Sequence, residues 1–151
     1  MTQTLKCLTV ALIGLSLAGM LVSSLALAAH YNTQPSPCSI NDVWDCGIVN
    51  HSPYAVLHGV PVAIIGIMGY GLLASLAGRF PGLTATVAFV GLIFALRLTW
   101  IEWKVLSVWC VYCVSSQGII GMIFPLASVA ALVSRRQPPE RRERPFLEGT
   151  A

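Results

Sequence analysis

Four long apolar stretches dominate the hydrophobic and polar pattern of the chain. They cover approximately residues 7–29, 57–78, 83–103 and 105–133. Each reaches the roughly 20 residues that a helix needs to cross a hydrocarbon core about 30 Å thick. Helices are expected because backbone exposed to lipid must satisfy its own hydrogen bonds, and no alternating pattern indicates a barrel. The pattern predicts an all-α integral membrane protein, a bundle of four transmembrane helices.

The first apolar stretch allows two interpretations. Lys6 precedes an apolar run that contains Ala26-Leu27-Ala28, an arrangement also seen in cleavable signal peptides. The run is longer than the usual apolar core of a signal peptide, which has about 7–15 residues. This length favours retention as the first transmembrane helix, whereas cleavage would leave three spans.

Composition agrees with a membrane protein and indicates one bundle. Of the 151 residues, 56% are hydrophobic and 10% charged, whereas soluble domains carry about 25% charged residues. We expect a membrane domain over residues 1–134, then a cytoplasmic, disordered tail over residues 135–151. The tail arginines suit anionic lipid headgroups. Nucleic acid is not an expected partner, because no basic patch is interleaved with aromatic residues.

The distribution of positive residues predicts the orientation. Lys6, Arg79 and the tail arginines would share one side, whereas residues 30–57 contain neither Lys nor Arg and the third connection contains only Lys104. By the positive-inside rule, both termini would be cytoplasmic. The first and third connections would then face a periplasm-like compartment, which permits disulfide bonds.

Four of the five cysteines fall at this outer face. Cys38 and Cys46 lie in the first connection, and Cys110 and Cys113 lie at the start of the fourth apolar stretch. A helix N-terminus lowers the pKa of a cysteine, and the thiolate is the form that exchanges with disulfides. A loop pair could therefore exchange with a fixed helical pair, which favours a redox relay. Cys7, at the cytoplasmic end, is expected to be a small apolar filler.

Other uses of the four cysteines stay open at this point. Structural zinc sites usually take two close pairs, but seven residues separate Cys38 from Cys46 and no histidine has suitable spacing, so no metal is expected. Structural disulfides would make the chain a non-enzymatic membrane interaction protein. The bilayer already holds the spans together, so such bonds would add little.

The first connection is expected to carry a short helix over residues 39–46. Ser39 or Asn41 could cap this helix, and Gly47 could end it. Trp44 would let the segment rest on the membrane surface. In that position the loop would act as a lid over a site inside the bundle.

A set of spaced residues resembles a known family. The set comprises Cys38, Cys46, Ser52, Gly59-Val60-Pro61 and Cys110-Val111-Tyr112-Cys113. Together they are similar to the vitamin K epoxide reductase family over about residues 8–134. The resemblance implies a four-helix transmembrane bundle around a quinone, with a periplasmic loop helix over the quinone site. The unrelated disulfide bond formation protein B family also has four helices and two cysteine pairs, but in the reverse order.

The resemblance also implies a path for electrons and a role for each cysteine. A periplasmic thioredoxin-fold disulfide oxidoreductase would reduce the loop pair, with Cys38 exchanging with this partner and Cys46 passing electrons to Cys110. Cys113 would contact or add to the quinone, either menaquinone or ubiquinone. The net result would be disulfide bond formation in secreted proteins, with the protein in a bacterial inner membrane.

The resemblance has departures, and some further residues have two interpretations. Gln117 stands where animal members have a tyrosine, and their asparagine near the second helix has no clear equivalent. Ser52 matches a loop residue that aids the site by a hydrogen bond. His51 could donate to a quinone carbonyl and Trp109 could line the quinone pocket, although a loop histidine and an interfacial aromatic belt are the simpler interpretations. Glu102 is expected at the interface near Lys104.

Overall fold

The computed structural model describes residues 3–32 and 38–136. Five α-helices occupy most of these residues: α1 (Gln3–Tyr31), α2 (Cys46–Asn50), α3 (Val62–Leu76), α4 (Pro81–Ile101) and α5 (Val111–Arg135). The connections contain a 3₁₀ turn (Pro53–Ala55), a hairpin of β1 (Val56–Leu57) with β2 (Val60–Pro61), and a π-helical turn (Glu102–Leu106). The turn-rich segment at residues 34–37 and the tail from residue 137 lie outside the described residues.

The four longer helices pack side by side around one apolar core. Helix α1 contacts α3 and α5, and α4 contacts α5 and α3. The core between them contains Leu12, Leu73, Ala88, Ile123 and Ala127. Many large apolar side chains instead point outward and are exposed, including Leu17, Leu21, Met68, Val90 and Leu132. An apolar exterior of this extent is costly in water and suits lipid.

Within the described part of the chain, three helices are long and apolar enough to cross a membrane. They are α1, α4 together with its π-helical turn, and α5. The predicted helical membrane fold is confirmed at this level. Helix α3 has 15 residues, about 22 Å at 1.5 Å per residue, so it is shorter than the predicted span over residues 57–78.

The shorter α3 has a local cause. His58 and Gly59 adopt φ angles of 51° and 84°, which turn the chain between β1 and β2. Pro61 then occupies the cap position of α3 with extended backbone, and its missing N–H costs nothing there. The apolar residues before Val62 therefore form a hairpin at the end of the bundle instead of a further helical turn.

The predicted loop helix over residues 39–46 is wrong. The Asn41 side-chain oxygen accepts hydrogen bonds from the backbone of Val43 (3.0 Å) and Trp44 (2.9 Å). This local turn competes with a helix, so the short helix α2 starts only at Cys46. Asp45 caps α2 by accepting from the Gly47 amide at 2.7 Å. Gly47 therefore lies in the first turn of α2 and does not end the predicted helix.

The cap of α2 is reinforced by a further hydrogen bond. The Ser39 hydroxyl donates to the Asp45 carboxylate at 2.6 Å. This bond, together with those from the Ile48 and Gly47 amides, holds the pKa of Asp45 below its ordinary value of 3.8. A carboxylate at this position therefore stays charged and holds the start of α2 in place.

The loop is fixed against the entry of α5 by backbone hydrogen bonds. The Trp109 amide donates to the Val43 carbonyl at 2.8 Å, and the Asp45 amide donates to the Trp109 carbonyl at 3.1 Å. The rings of Trp44 and Trp109 lie 6.3 Å apart between centroids. This bridge places the residue after Asp45 beside the residue after Trp109, and both of those residues are cysteines.

Candidate redox site

The loop pair and the helical pair of cysteines meet in one buried cluster. Cys38 and Cys46 form a disulfide with their Cα atoms 5.7 Å apart. Cys46 is the first residue of α2 and Cys110 is the N-cap of α5, and neither has exposed surface. Cys38, Cys46, Val49 and Cys110 pack together, with Cys113 against them. The four cysteines that the sequence analysis singled out are thus brought together.

Cys110 and Cys113 are free thiols at the start of α5. They are one helical turn apart, so the Cys113 thiol hydrogen-bonds to Cys110 and lowers the pKa of Cys110. Backbone amides of the first turn of α5 act in the same direction. A thiolate is both the nucleophile and the leaving group in disulfide exchange, so Cys110 is suited to exchange with the neighbouring loop pair.

Asn50, the last residue of α2, joins the two pairs. Its side-chain amide donates to the Cys46 carbonyl at 2.8 Å and lies 3.7 Å from the Cys110 sulfur. Its backbone carbonyl is bonded by the His30 ring at the end of α1. The sequence analysis missed both Asn50 and His30. Asn50 follows Cys46 by four residues, so on a helix the two residues lie on the same face. This spacing was the sequence signal that could have identified Asn50.

A cavity of about 400 Å³ lies inside the bundle below the loop. Its walls are mostly apolar side chains of α1, α3, α4 and α5. Polar groups gather near its upper end: His30, Asn50, Ser52, Glu102, Tyr112 and Cys113. The volume is within the range of about 300–1,000 Å³ that is usual for small-molecule sites. Cys113 lies in the cavity wall, whereas Cys38, Cys46 and Cys110 do not.

Of the remaining predicted site residues, one lines the cavity and two do not. Ser52 lines the cavity and donates its hydroxyl hydrogen to the Val49 carbonyl at 2.8 Å. His51 is exposed outside the cavity lining, where its ring bonds to the Gly47 carbonyl at 2.8 Å. Trp109 also lies outside the cavity lining. Its backbone instead forms the hydrogen bonds with Val43 and Asp45 that fix the loop. His30, whose ring stacks on His51 at 6.0 Å, is the histidine at the cavity.

Glu102 was expected at the interface near Lys104, and this prediction is wrong. The Glu102 side chain is 2% exposed and lines the cavity. Its Oε2 accepts a hydrogen bond from the Cys110 amide at 3.2 Å. Lys104 instead lies over the ring of Trp103, 4.0 Å from its centroid. An ionisable residue inside an apolar stretch was the signal that could have found this site.

Comparison with known proteins agrees with this arrangement. The model of the vitamin K epoxide reductase family matches residues 10–128. The chain belongs to this family. No curated protein matches it. Members of the family are oxidoreductases, and membership implies a membrane redox function connected with quinones and disulfides.

Proposed function

We propose that this protein is a membrane thiol–disulfide oxidoreductase that moves electrons from a periplasmic thioredoxin-fold protein to a quinone. The observation that carries the proposal is the order of the sulfur atoms. The disulfide of the loop pair contacts Cys110, Cys110 interacts with Cys113, and Cys113 lies in the wall of the cavity. Electrons can therefore pass inward through neighbouring groups without a large movement of the chain.

The exposure of the loop pair supports entry at Cys38. Cys38 is 7% exposed, whereas Cys46 is fully buried. A thiolate of the partner attacks Cys38, and the second thiol of the partner resolves the mixed disulfide. The partner leaves with a new disulfide, and Cys38 and Cys46 remain as thiols.

Internal exchange then passes the two electrons to the helical pair. The Cys46 thiolate attacks Cys110 of a Cys110–Cys113 disulfide and releases the Cys113 thiolate. Cys38 next attacks Cys46, which restores the loop disulfide and releases Cys110. In the structure, Cys38 and Cys46 form a disulfide, and Cys110 and Cys113 are free thiols. This is the state from which a quinone would be reduced.

The cavity fits the proposed acceptor. A quinone ring is flat and apolar with two carbonyl oxygens, so it needs apolar walls and a few hydrogen-bond donors. The walls from Val87, Phe94 and Leu98 of α4 are apolar, while Tyr54 and Tyr112 supply hydroxyl groups to the same cavity as Cys113. We propose menaquinone or ubiquinone as the physiological acceptor, with disulfide formation in secreted proteins as the outcome.

We further propose that residues 1–134 form a domain of four membrane-crossing helices in a bacterial inner membrane. The end of the bundle that holds the cysteine pairs is opposite to the end that holds Lys6 and Arg79. The positive-inside rule then supports cytoplasmic termini and a periplasmic site. The arginine-rich tail over residues 135–151 would lie against anionic lipid headgroups.

Quinone reduction by the purified protein in detergent tests the function. Reduced thioredoxin-fold protein serves as the donor, and quinol formation is followed by absorbance. We expect turnover with the natural chain and with Cys7→Ala, and loss of turnover with Cys113→Ala. Cys38→Ala should lose the protein donor but keep a small-thiol donor. Stable disulfides with no quinol from any donor would instead support a non-enzymatic membrane protein with structural disulfides.

A further inference from the structure

Glu102 is a buried carboxyl group for which the proposed electron path provides no role. Its Oε2 accepts from the Cys110 amide. Its Oε1 has no partner of hydrogen-bond geometry and is the only such buried side-chain atom among the described residues. Leaving a buried polar atom unpaired destabilises a folded protein. A carboxyl group in this position therefore calls for an explanation beyond its hydrogen bond with the Cys110 amide.

The neighbours of Glu102 connect it with the proposed chemistry. The Glu102 carboxyl group interacts electrostatically with the Cys113 thiol, and both side chains line the same cavity. Glu102 is thus next to the sulfur that would react with a quinone. It is also next to the space in which the quinone ring would lie.

The local backbone explains how Glu102 reaches this place. Helix α4 widens into the π-helical turn at Glu102, and Ser107 ends that turn in the left-handed region with φ of 55°. The chain then returns to Cys110, so two residues eight positions apart face each other. Such π-helical segments are rare and are frequent at functional sites.

Quinone reduction requires proton transfer as well as electron transfer. The pair Cys110 and Cys113 holds two protons as thiols and supplies two electrons when its disulfide forms. A quinone becomes a quinol only when its two oxygens each gain a proton. The other titratable side chains of the cavity wall are His30, Tyr54, Tyr70 and Tyr112. Among all of these, Glu102 is the group that accepts a hydrogen bond from the Cys110 amide and also interacts electrostatically with Cys113.

We propose that Glu102 is a catalytic proton carrier between the cysteine thiols and the quinone, an inference that rests on the proposed function. The carboxylate accepts the proton of each thiol in turn and passes the first to one quinone oxygen and the second to the other. The two sulfurs lose two protons and two electrons and form the Cys110–Cys113 disulfide. The quinone gains both protons and both electrons, and the carboxylate returns to its initial state.

Single-turnover kinetics on the full chain test this role. The protein is reduced, freed of reductant and mixed with a short-chain ubiquinone analogue, and quinol formation is followed by stopped flow. Glu102→Gln keeps the size of the side chain and an oxygen for the Cys110 amide but cannot carry a proton. We expect a fall of about 100-fold or more, since general acid–base catalysis contributes roughly 10²–10⁴-fold. Glu102→Asp should retain more activity than Glu102→Gln.

Two further measurements separate proton transfer from a structural role. Lys104→Gln changes a neighbouring charged residue that lies over Trp103 and should leave the rate unchanged. Alkylation of Cys113 by iodoacetamide, scored by mass spectrometry, should be faster in Glu102→Gln than in Glu102→Asp, because loss of the negative charge beside Cys113 favours its thiolate. This second readout needs no quinone.

The outcomes distinguish this inference from the proposed function. A natural chain that reduces quinone, with Glu102→Gln within twofold of it, would overturn the role of Glu102 and leave the function standing. A natural chain that reduces no quinone would overturn both. Should both variants fail to fold, the natural chain decides: a solvent deuterium isotope effect near 1 on the single turnover would contradict rate-limiting transfer through Glu102, and a clear effect would support it.

Discussion

The Asn50 side chain gives the clearest prediction for a single residue. Its amide lies between the Cys46 carbonyl and the Cys110 sulfur. A hydrogen bond to a charged group stabilises by about 1.5–3 kcal/mol, so loss of this donor should disfavour the Cys110 thiolate. We expect Asn50→Ala to slow exchange between the loop pair and the helical pair about tenfold or more. Rapid acid quenching and mass spectrometry of the cysteine pairs measure this exchange.

A second substitution at the same position is the matched control. Asn50→Asp keeps the size of the side chain but removes the donor and places a negative charge beside Cys110. Like charges disfavour each other, so exchange should be slower than in Asn50→Ala. Equal rates in the natural chain and both variants would show that the Asn50 amide does not act on Cys110.

The residues that the sequence analysis proposed for the site differ in kind from those that it missed. The cysteine pairs stand out in the sequence itself, and the resemblance to the vitamin K epoxide reductase family adds Ser52 by its spacing from them. Glu102 and Asn50 gain their positions from contacts across the fold: Asn50 lies 60 residues from Cys110. The sequence marked them only as candidates, Asn50 by its spacing from Cys46 and Glu102 as an ionisable residue in an apolar stretch. The contacts that give them a role lie outside any local pattern.

At the scale of elements, the contact between α1 and α3 depends on Gly19. A Cβ at Gly19 would overlap the ring of Tyr70. The Tyr70 hydroxyl is held by the Ser116 carbonyl of α5 at 2.8 Å, so the ring cannot move without losing this bond. Small residues allow membrane helices to approach closely.

We therefore expect Gly19→Ala to destabilise the protein by about 1–3 kcal/mol, the usual cost of an overpacked core. Gly14→Ala is the control on the same helix, because a Cβ at Gly14 would meet no atom within 4 Å. Thermal unfolding of both variants in the same detergent measures the difference. The prediction is wrong if Gly19→Ala unfolds at the temperature of Gly14→Ala.

The long helices were predictable from the sequence, and the short elements were less so. Apolar runs of about 20 residues have few alternatives to a helix in lipid, and α1, α4 and α5 follow them closely. The loop helix was misplaced, because Ser39, Asn41 and Asp45 are all good cap residues. The Asn41 turn and the bridge from the loop to Trp109 together select Asp45 as the cap of α2.

At the scale of the whole molecule, Lys6 and Arg79 lie at one end of the bundle and the two cysteine pairs at the other. Gly78, beside Arg79, packs near Thr9 in the first turns of α1, whereas His30 at the other end of α1 bonds to the loop that carries Cys46. Helix α1 has 29 residues, about 43 Å at 1.5 Å per residue. This length exceeds a hydrocarbon core of about 30 Å, so the two ends can reach opposite aqueous phases.

The placement of the two ends in opposite aqueous phases predicts how cysteines at each end respond to a thiol reagent that does not cross membranes. Chains with one cysteine each are expressed in cells and treated with a charged maleimide before or after permeabilisation. We expect Cys38 and a Leu57→Cys variant to react in intact cells. Cys7 and a Gly82→Cys variant should react only after permeabilisation. Leu57 and Gly82 flank α3, so opposite behaviour of these two positions would require the 15-residue α3 to cross the membrane. Equal behaviour would contradict the four-span topology, because α3 would then enter and leave the bilayer on one side.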